Sequence, residues 1–423
     1  MLQLTARDKE LLNGEHGEAS RFAMSVIVQM AEAMDANELL SVEQAHIDAC
    51  ALRSISSLDV VSHLAENGGR VSIPTTLSMV SLDLEHWEEL GVPSEFADLS
   101  QRIANAYLQL GCIPAWTCAP YQGYLTPRAG QQIAWGESNA VIYANSVLGA
   151  RTNRYADFLD ICAAITGRVP YTGLHRLENR RASLHIRVKG IEEDAWRTPA
   201  AWAAFGSLVG QLAGEHVPVI DGLPLRRPSN DMLKAFGAAA ASAGSVGLCH
   251  LVGITPEANS LEAACHCQKP LETLSVEHDQ LREAWDELSV GAAGETIDAV
   301  ILGCPHFSYA EFEALASSIG RASSGGVHEN VQFLVFCGAT DVELARRGGL
   351  LEPFRDFGAT LVHDTCPFHS PVVKSSARTI MTNSGKCAYY APGELDVGVR
   401  FGSLDQCVEA ASTGRAPSES SPW

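Results

Sequence analysis

The chain has 423 residues, of which 46% are hydrophobic, 19% are charged and 7% are aromatic. These fractions are typical of a globular protein with a sizeable core, and they exclude a disordered or fibrous chain. The formal net charge is −20, from 30 basic and 50 acidic residues. Such an excess of acid repels phosphodiester backbones, so nucleic acid is not an expected partner.

The sequence lacks the signals of secretion and membrane insertion. Asp8, Lys9 and Glu10 interrupt the N-terminus before an apolar run develops, which disfavours a signal peptide. The uncharged residues 235–254 are mostly Ala, Gly and Ser, and we interpret them as a helix, a turn at Gly244 and a buried strand. We therefore expect a cytoplasmic protein, outside any membrane, whose 12 cysteines stay reduced.

The N-terminal third begins with the pattern of an amphipathic helix. Ala23, Ile27, Met30 and Met34 recur at helical spacing and predict one buried face. Residues 111–152 differ, because they are rich in Gly, Pro, Asn, Ser and aromatic residues and have no sustained period in their first half. A long irregular stretch of this kind is typical of a functional loop region.

The last third repeats a strand–turn–helix pattern. Three short apolar runs predict strands: residues 299–302, 332–336 and 360–363. Ser308 with Glu311, and Thr340 with Glu343, predict capping boxes that open the two intervening helices. The alternation favours an α/β fold with a parallel sheet and crossover helices.

Three cysteines are predicted to lie in turns and are candidate metal ligands: Cys118, Cys304 and Cys366. Pro305 and Pro367 directly follow the last two, which interrupts regular structure and leaves each thiol on a turn. Cys304 and Cys366, with Cys337, also fall at predicted strand ends, where ligands of parallel sheets bind. Three thiolates can hold an iron or an iron–sulfur cluster and leave a position open for substrate. Buried structural thiols are the alternative, and core packing is our interpretation of Cys337.

A second cysteine group has the composition of a zinc site. It comprises Cys265, His266 and Cys267. Neighbouring residues of a helix point apart, so we do not expect these three to share a metal.

Residues 136–152 combine hydrogen-bonding groups with an apolar centre. Asn145, Ser146, Arg151 and Thr152 belong to this run, and an arginine with neutral donors is suited to gripping a carboxylate. A buried polar network that joins two lobes is the other interpretation, and the residues alone favour neither.

His175 and Lys386 each lie in a polar cluster of their own, but a lone histidine or a lysine in a turn does not identify a site.

Seven segments together resemble the aconitase X family, in an order that extends from about Gly14 to Cys407. They are WTCAPY (116–121), GESNAVIYANSVLGART (136–152), GLHRLENR (173–180), VGITPEA (252–258), LGCPH (302–306), DTC (364–366) and TNSGK (382–386). The resemblance implies an aconitase-like large catalytic part, with three α/β/α lobes around a central metal site, over residues 1–411. We expect the Ser/Pro-rich residues 412–423 to form a disordered tail.

The resemblance also implies a hydro-lyase that removes water from a hydroxy acid on iron. Bacterial and eukaryotic members dehydrate cis-3-hydroxy-L-proline to Δ1-pyrroline-2-carboxylate, and archaeal relatives dehydrate mevalonate 5-phosphate. The family's metal ligands correspond to Cys118, Cys304 and Cys366. The implied cofactor is iron, as an iron–sulfur cluster (2Fe–2S is favoured) or as a single ion. The remaining candidate residues are Thr76, Asn145, Ser146, Arg151 and Thr152 for substrate binding, and His175, Ser384 and Lys386 for catalysis.

Two departures and one missing part qualify this expectation. Ser78 stands where the family usually has Asn, and Cys387 adds a thiol to the lysine motif. A small swivelling domain that supplies the base has no counterpart in this sequence, so we expect either a partner subunit or a domain that belongs to the protein outside this sequence. The alternatives are a mevalonate 5-phosphate dehydratase, with Arg226 and Arg227 as phosphate ligands, a non-catalytic iron-responsive regulator, and a three-cysteine zinc hydrolase.

Overall fold

The structure is a computed structural model, and it describes residues 2–225, 227–291, 296–322 and 325–417. The chain divides into two compact units, Met1–Arg181 and Ala182–Trp423. Both units mix helices with parallel strands, as the sequence predicted. Among the described residues, no helix has both the length and the apolar character needed to cross a membrane.

The first unit contains two small sheets surrounded by helices. Its helices are α1 (Ala6–Leu12), α2 (Glu18–Ala33), α3 (Ile55–Glu66), α4 (Ser94–Gln109), α5 (Ser138–Tyr143) and α6 (Leu159–Thr166), with a π-helical segment at Ala144–Leu148 and 3₁₀ turns at Gly173–His175 and Leu177–Arg180. Its strands are β1 (Leu39–Ser41), β2 (Ala45–Ile47), β3 (Thr75–Leu77), β4 (Ala134–Trp135) and β5 (Arg168–Pro170). Strands β1 and β5 pair antiparallel, and the other three form a parallel sheet in the order β3-β2-β4.

The second unit contains two larger sheets, and the strand pairs in both are parallel. Its helices are α7 (Pro199–Ala213), α8 (Asn230–Gly244), α9 (Leu261–Ala264), α10 (His278–Glu287), α11 (Tyr309–Arg321), α12 (Ala339–Arg347), α13 (Leu351–Phe357), α14 (Gly385–Leu395) and α15 (Leu404–Thr413), with a 3₁₀ turn at Glu193–Trp196. Its strands are β6 (Leu184–Val188), β7 (Pro218–Asp221), β8 (His250–Leu251), β9 (Glu272–Val276), β10 (Ala299–Phe307), β11 (Gln332–Cys337), β12 (Thr360–His363), β13 (Thr379–Thr382) and β14 (Gly398–Phe401). The two strand orders are β8-β7-β6-β9 and β12-β11-β10-β13-β14.

Several local predictions are confirmed. Helix α2 buries Ala23 and Ile27, whereas Met34 caps its end and is exposed. Helix α8 ends at Gly244, and the buried strand β8 follows. Residues 112–133 are irregular apart from isolated bridges, whereas the second half of the predicted loop region is a buried strand and helix.

One of the two predicted capping boxes is present, whereas the other one and the predicted start of the tail are wrong. Ser308 and Glu311 form the predicted capping box of α11. Helix α12, however, begins after Gly338 and has no capping box. Its first amide, on Ala339, donates instead to Asp364 Oδ1 at 2.7 Å, so a side chain from a distant loop replaces the local cap. The tail boundary placed at residue 412 lies inside α15, and residues 418–423 are outside the described part of the chain.

Helices α7 and α8 pack at unusually short range because glycines face each other. A Cβ atom added to Gly244 would lie 1.8 Å from the carbonyl oxygen of Gly210, and one added to Gly206 would lie 2.2 Å from that of Phe236. Only glycine permits this approach. The contact fixes the position of α8, which carries the buried side chain of Lys234.

Candidate active site

Strand β10 contains a bulge at the segment that carries Cys304. The register of β10 on β11 shifts between Leu302 and Phe307, and the Cys304–Pro305 peptide is cis. Gly303 has φ +84°, and a Cβ there would lie 2.0 Å from the carbonyl oxygen of Phe336, so only glycine fits. The turn predicted after residue 302 is therefore wrong, because the strand continues to Phe307 through a bulge. Bulges commonly re-aim a side chain beside an active site.

Cys304 and Cys366 lie at the carboxyl edge of the five-stranded sheet, as the sequence predicted. The Ser384 hydroxyl donates to the carbonyl oxygen of Cys304, and it also accepts a hydrogen bond from the Cys387 amide at 3.0 Å, which caps α14. His306 Nε2 donates to the carbonyl oxygen of Thr365 at 2.7 Å. The backbones on either side of the two thiols are thus fixed by neighbouring elements of the same unit.

The burial of these cysteines separates them into two groups. Cys304 is 7% exposed and Cys366 is half-buried. Cys337 is fully buried, with its thiol 3.6 Å and 3.7 Å from two carbonyl oxygens, which is the packing role that we predicted. Cys387 is fully buried too, and burial raises the pKa of its thiol to about 12. Of these four, Cys304 lies in the bulge of β10 and lines a small cavity, and Cys366 follows β12 and is half-buried.

The zinc-like group does not assemble within the second unit. Cys265 ends α9 and is buried in a small apolar cluster. Cys267 is exposed, and both it and His266 have positive φ. The two thiols are therefore in different environments.

The parallel sheet of the first unit gathers polar groups at and after its strands. Strand β2 lies in the centre, so the chain crosses to β3 on one side and to β4 on the other, which creates a topological switch point where ligands of α/β sheets bind. Thr76 on β3 hydrogen-bonds His46 Nδ1 through its hydroxyl at 2.9 Å. Both are buried. Burial lowers the pKa of His46 to about 4, against the opposing effect of Glu137, so His46 is neutral at pH 7.

Asn139 holds the loop that carries Cys118. Its Nδ2 donates to the carbonyl oxygen of Cys118 and to Glu137 Oε1, each at 3.0 Å, while its Oδ1 accepts from the Tyr121 hydroxyl at 2.9 Å. Tyr121 in turn stacks on Tyr143 with ring centroids 3.8 Å apart. Cys118 is buried, at 6% exposure, in a segment that has no regular structure of its own.

Asn145 and Thr152 bond to each other in a buried polar network. The Thr152 amide donates to Asn145 Oδ1 at 3.1 Å, and Asn145 Nδ2 donates to the Thr152 carbonyl oxygen at 2.9 Å. The fully buried Arg180 adds a hydrogen bond to Asn145 Oδ1 at 3.1 Å. This network holds the first unit together internally. Ser146 is buried beside it, and Arg151 is half-buried, with its backbone bridged to Gln132.

His175 is fully buried between two polar partners. Its Nδ1 lies 2.7 Å from Gln132 Oε1, and its Nε2 bonds the Tyr155 hydroxyl. Burial, with the charges of Arg180 and Arg151, lowers the pKa of His175 to about 3. The neutral His175 ring is hydrogen-bonded at both nitrogens, so it orients Gln132 and Tyr155.

Sequence reasoning did not select three residues that the structure brings to these sites. His46 is a single residue in a short strand, and no local pattern distinguishes it. Asn139 belongs to the polar run 136–152, but its contact with Cys118 joins residues 21 positions apart and leaves no local pattern. Lys234 lies in a long Ala-rich helix, and its partners near Cys304, which are His306 and Glu311, are 72 and 77 residues away.

Models of three domains of one family match the chain. Residues 1–178 match the Aconitase X first domain, residues 182–286 the second domain and residues 297–413 the third domain. A solved structure of Thermococcus kodakaraensis aconitase X (holo-form) superposes with a TM-score of 0.85 at 29% identity and covers 97% of this chain and 100% of that one.

Curated relatives fall into two groups by name. A cis-3-hydroxy-L-proline dehydratase of Pseudomonas aeruginosa is 45% identical over 100% of this chain and 72% of its own length. The protein of the same name from Hypocrea jecorina is 42% identical over 98% of this chain and 69% of its own length. A phosphomevalonate dehydratase large subunit of Methanocaldococcus jannaschii is 31% identical over 96% of this chain and 100% of its own length.

Proposed function

Because this chain belongs to the aconitase X family, we propose that it dehydrates cis-3-hydroxy-L-proline to Δ1-pyrroline-2-carboxylate. The observation that carries this proposal is the 45% identity, over the whole chain, to a relative named for that activity, against 31% to the phosphomevalonate enzyme. The chain is a hydro-lyase in either case, since both relatives are dehydratases.

The thiols at the carboxyl edge of the five-stranded sheet fit iron. Cys304 lines a small cavity and Cys366 is half-buried, and thiolates are preferred ligands of iron and iron–sulfur clusters. They hold the metal in this proposal, with Cys118 as the third ligand that the family resemblance implies. The iron is a cluster, with 2Fe–2S favoured, or a single ion. When bound, it supplies a Lewis acid toward the hydroxyl that leaves.

Two residues of the TNSGK motif have distinct roles in this proposal. Ser384 holds the carbonyl oxygen of Cys304 and caps α14, so its role is to position the Cys304 backbone. Lys386 lies half-buried in the first turn of α14, where its charge adds to the positive end of the helix dipole. Negative charge that develops on the substrate is stabilised by this arrangement.

The candidate residues of the first unit divide into binding and positioning groups. Arg151, Ser146 and Thr76 bind the substrate, with Arg151 as the cation for its carboxylate. Asn145 and Thr152 shape the segment that carries Arg151 and Ser146 by bonding each other. His175 stays neutral and orients Tyr155.

In this proposal the base that removes the proton from C2 belongs to a small swivelling domain, either in a separate subunit or in a further part of the same polypeptide. The two groups of relatives correspond to these two arrangements. The M. jannaschii relative is named a large subunit and is spanned completely by this chain, whereas the P. aeruginosa relative extends beyond the matched 72%.

Two measurements test the proposal. They are anaerobic iron and sulfide analysis, and turnover of cis-3-hydroxy-L-proline with and without a candidate small subunit. Cys304→Ser is expected to lose iron and turnover, whereas the control Cys337→Ala keeps both, because its buried thiol packs against β12. A Cys304→Ser protein with full iron and activity would refute the ligand assignment, and zinc in place of iron would favour a hydrolase.

Dehydration of mevalonate 5-phosphate is the second candidate function. The complete coverage of the M. jannaschii large subunit favours it. Of the two arginines predicted for its phosphate group, Arg227 is exposed and Arg226 lies outside the described residues. Turnover of mevalonate 5-phosphate, with none of cis-3-hydroxy-L-proline under the same conditions, would select this alternative.

A further inference from the structure

A buried lysine contacts the peptide segment that carries Cys304. Lys234 lies on α8 and is 3% exposed. Its ammonium group donates to the carbonyl oxygen of His306 at 3.0 Å, bonds Glu311 and lies 3.3 Å from Asp231 Oδ1. These groups belong to the second unit, and Lys234 itself lies outside the family motifs that the sequence displays.

The carboxylates around Lys234 are themselves fixed by the start of α11. The Ser308 amide donates to Glu311 Oε2 at 2.8 Å, and the Ser308 hydroxyl donates to Asp231 Oδ1 at 2.8 Å. The network therefore ties α8 to the residues that follow the bulge of β10. A buried ion pair adds little net stability, because desolvation offsets its attraction. Its main physical effect here is to define geometry.

The Cys304 segment is held at two points that bracket Pro305. Ser384 donates to the carbonyl oxygen of Cys304, and Lys234 donates to that of His306. A cavity of about 20 Å³, lined by residues that include Lys234, Glu311, Cys304 and Ser384, lies between them. Loss of either contact would leave the bulge free to move into this space.

The same contact extends to the second thiol. The side chain of His306, whose carbonyl group Lys234 holds, donates to the carbonyl oxygen of Thr365, directly before Cys366. We propose that Lys234 is a positioning residue that fixes the Cys304 segment and, through His306, the relation of Cys304 to Cys366. This inference rests on the proposed function in one respect, which is that the two thiols hold iron.

Thiol alkylation of the metal-free full-length chain tests the positioning directly. Lys234→Met removes the donor while keeping an unbranched side chain of similar length. We expect the iodoacetamide labelling rate of Cys304, measured by peptide mass spectrometry, to rise roughly 10- to 100-fold, as a lost charged hydrogen bond implies. Iron bound after anaerobic reconstitution should fall in parallel. Lys189→Met, at an exposed position in the same unit, should match the wild type in both measurements.

The double variant Lys234→Met with Glu311→Gln separates positioning from charge balance. The Glu311→Gln change retains an acceptor oxygen for the Ser308 amide but leaves no unpaired carboxylate at that position. We expect this variant to regain the urea midpoint lost by Lys234→Met while its Cys304 labelling stays fast and its iron content stays low. It also keeps the test usable if Lys234→Met fails to fold.

Two results would overturn the inference, and a third would separate it from the proposed function. Wild-type labelling and iron content in the double variant would overturn the inference, since the effect of Lys234→Met would then come from the uncompensated Glu311 charge. Unchanged labelling in Lys234→Met would overturn it as well. Fast labelling in Lys234→Met, combined with a wild-type protein that binds no iron, would support the positioning role and refute the iron-binding part of the proposed function.

Discussion

Replacing Asn139 by alanine removes three side-chain hydrogen bonds, of which those with Cys118 and Tyr121 hold the Cys118 loop against α5. The carbonyl oxygen of Cys118 loses its donor in a buried site, which costs about 1–3 kcal/mol. Glu137 keeps contacts with the Asn139 amide and the Ser138 hydroxyl, and Tyr121 is half-buried, so these two losses add about 0.5 kcal/mol each. The free energy of unfolding should fall by about 2–4 kcal/mol.

Urea unfolding followed by tryptophan fluorescence measures this loss, because Trp116 and Trp135 are buried in the same unit. Asn67→Ala is the matched control. Asn67 is exposed, and its side-chain amide donates to the His63 carbonyl oxygen at the end of α3, so its loss should cost about 0.5 kcal/mol. If Asn139→Ala is no less stable than Asn67→Ala at an unchanged m-value, the loop is held by other contacts and the reasoning is wrong.

Two further predictions concern the helix packing and the buried histidine. Gly244→Ala should destabilise the protein by about 2 kcal/mol or more, because its Cβ would meet the Gly210 carbonyl oxygen. The control Gly320→Ala, whose Cβ meets nothing within 4 Å, should stabilise α11 by about 0.5 kcal/mol. Equal urea midpoints of the two variants would refute the close packing of α7 and α8. His46 has a pKa of about 4 in the folded state against 6.5 in the unfolded state, so the unfolded state binds more protons between these values and stability falls as pH decreases. The stability of the wild type relative to His46→Gln should therefore fall by about 1.5 kcal/mol from pH 6.5 to pH 5, and a constant difference would show that His46 is not buried in its neutral form.

The sequence was sufficient to predict three of the five strands of the largest sheet, and the position of the cysteines at its edge. The apolar runs of β10, β11 and β12, separated by helical segments, specify parallel pairing because the signals are local and repeat. The capping box of α11 was also found, since its two residues are three positions apart. The cap of α12 was not, because Asp364 reaches Ala339 across 25 residues.

The functions of polar side chains were less predictable than the elements that carry them. The composition of residues 136–152, which include Asn145 and Thr152, is compatible both with a carboxylate-binding site and with a buried polar network. It therefore could not distinguish the two. In the structure Asn145 and Thr152 bond each other and are fully buried, which supports the buried network for these two residues. Arg151 and Ser146 remain candidates for substrate binding.

The sequence by itself determined the fold class, the family and the cysteines at the carboxyl edge of the sheet, because these depend on periodicity, turn chemistry and short ordered motifs. Only the tertiary structure decided how that edge is held. The bulge at Gly303 depends on the backbone of the neighbouring strand, and the contact of Lys234 with His306 joins residues 72 positions apart. Such contacts arise when packing removes groups from water and requires each to find a partner, and the partner is selected by proximity in space.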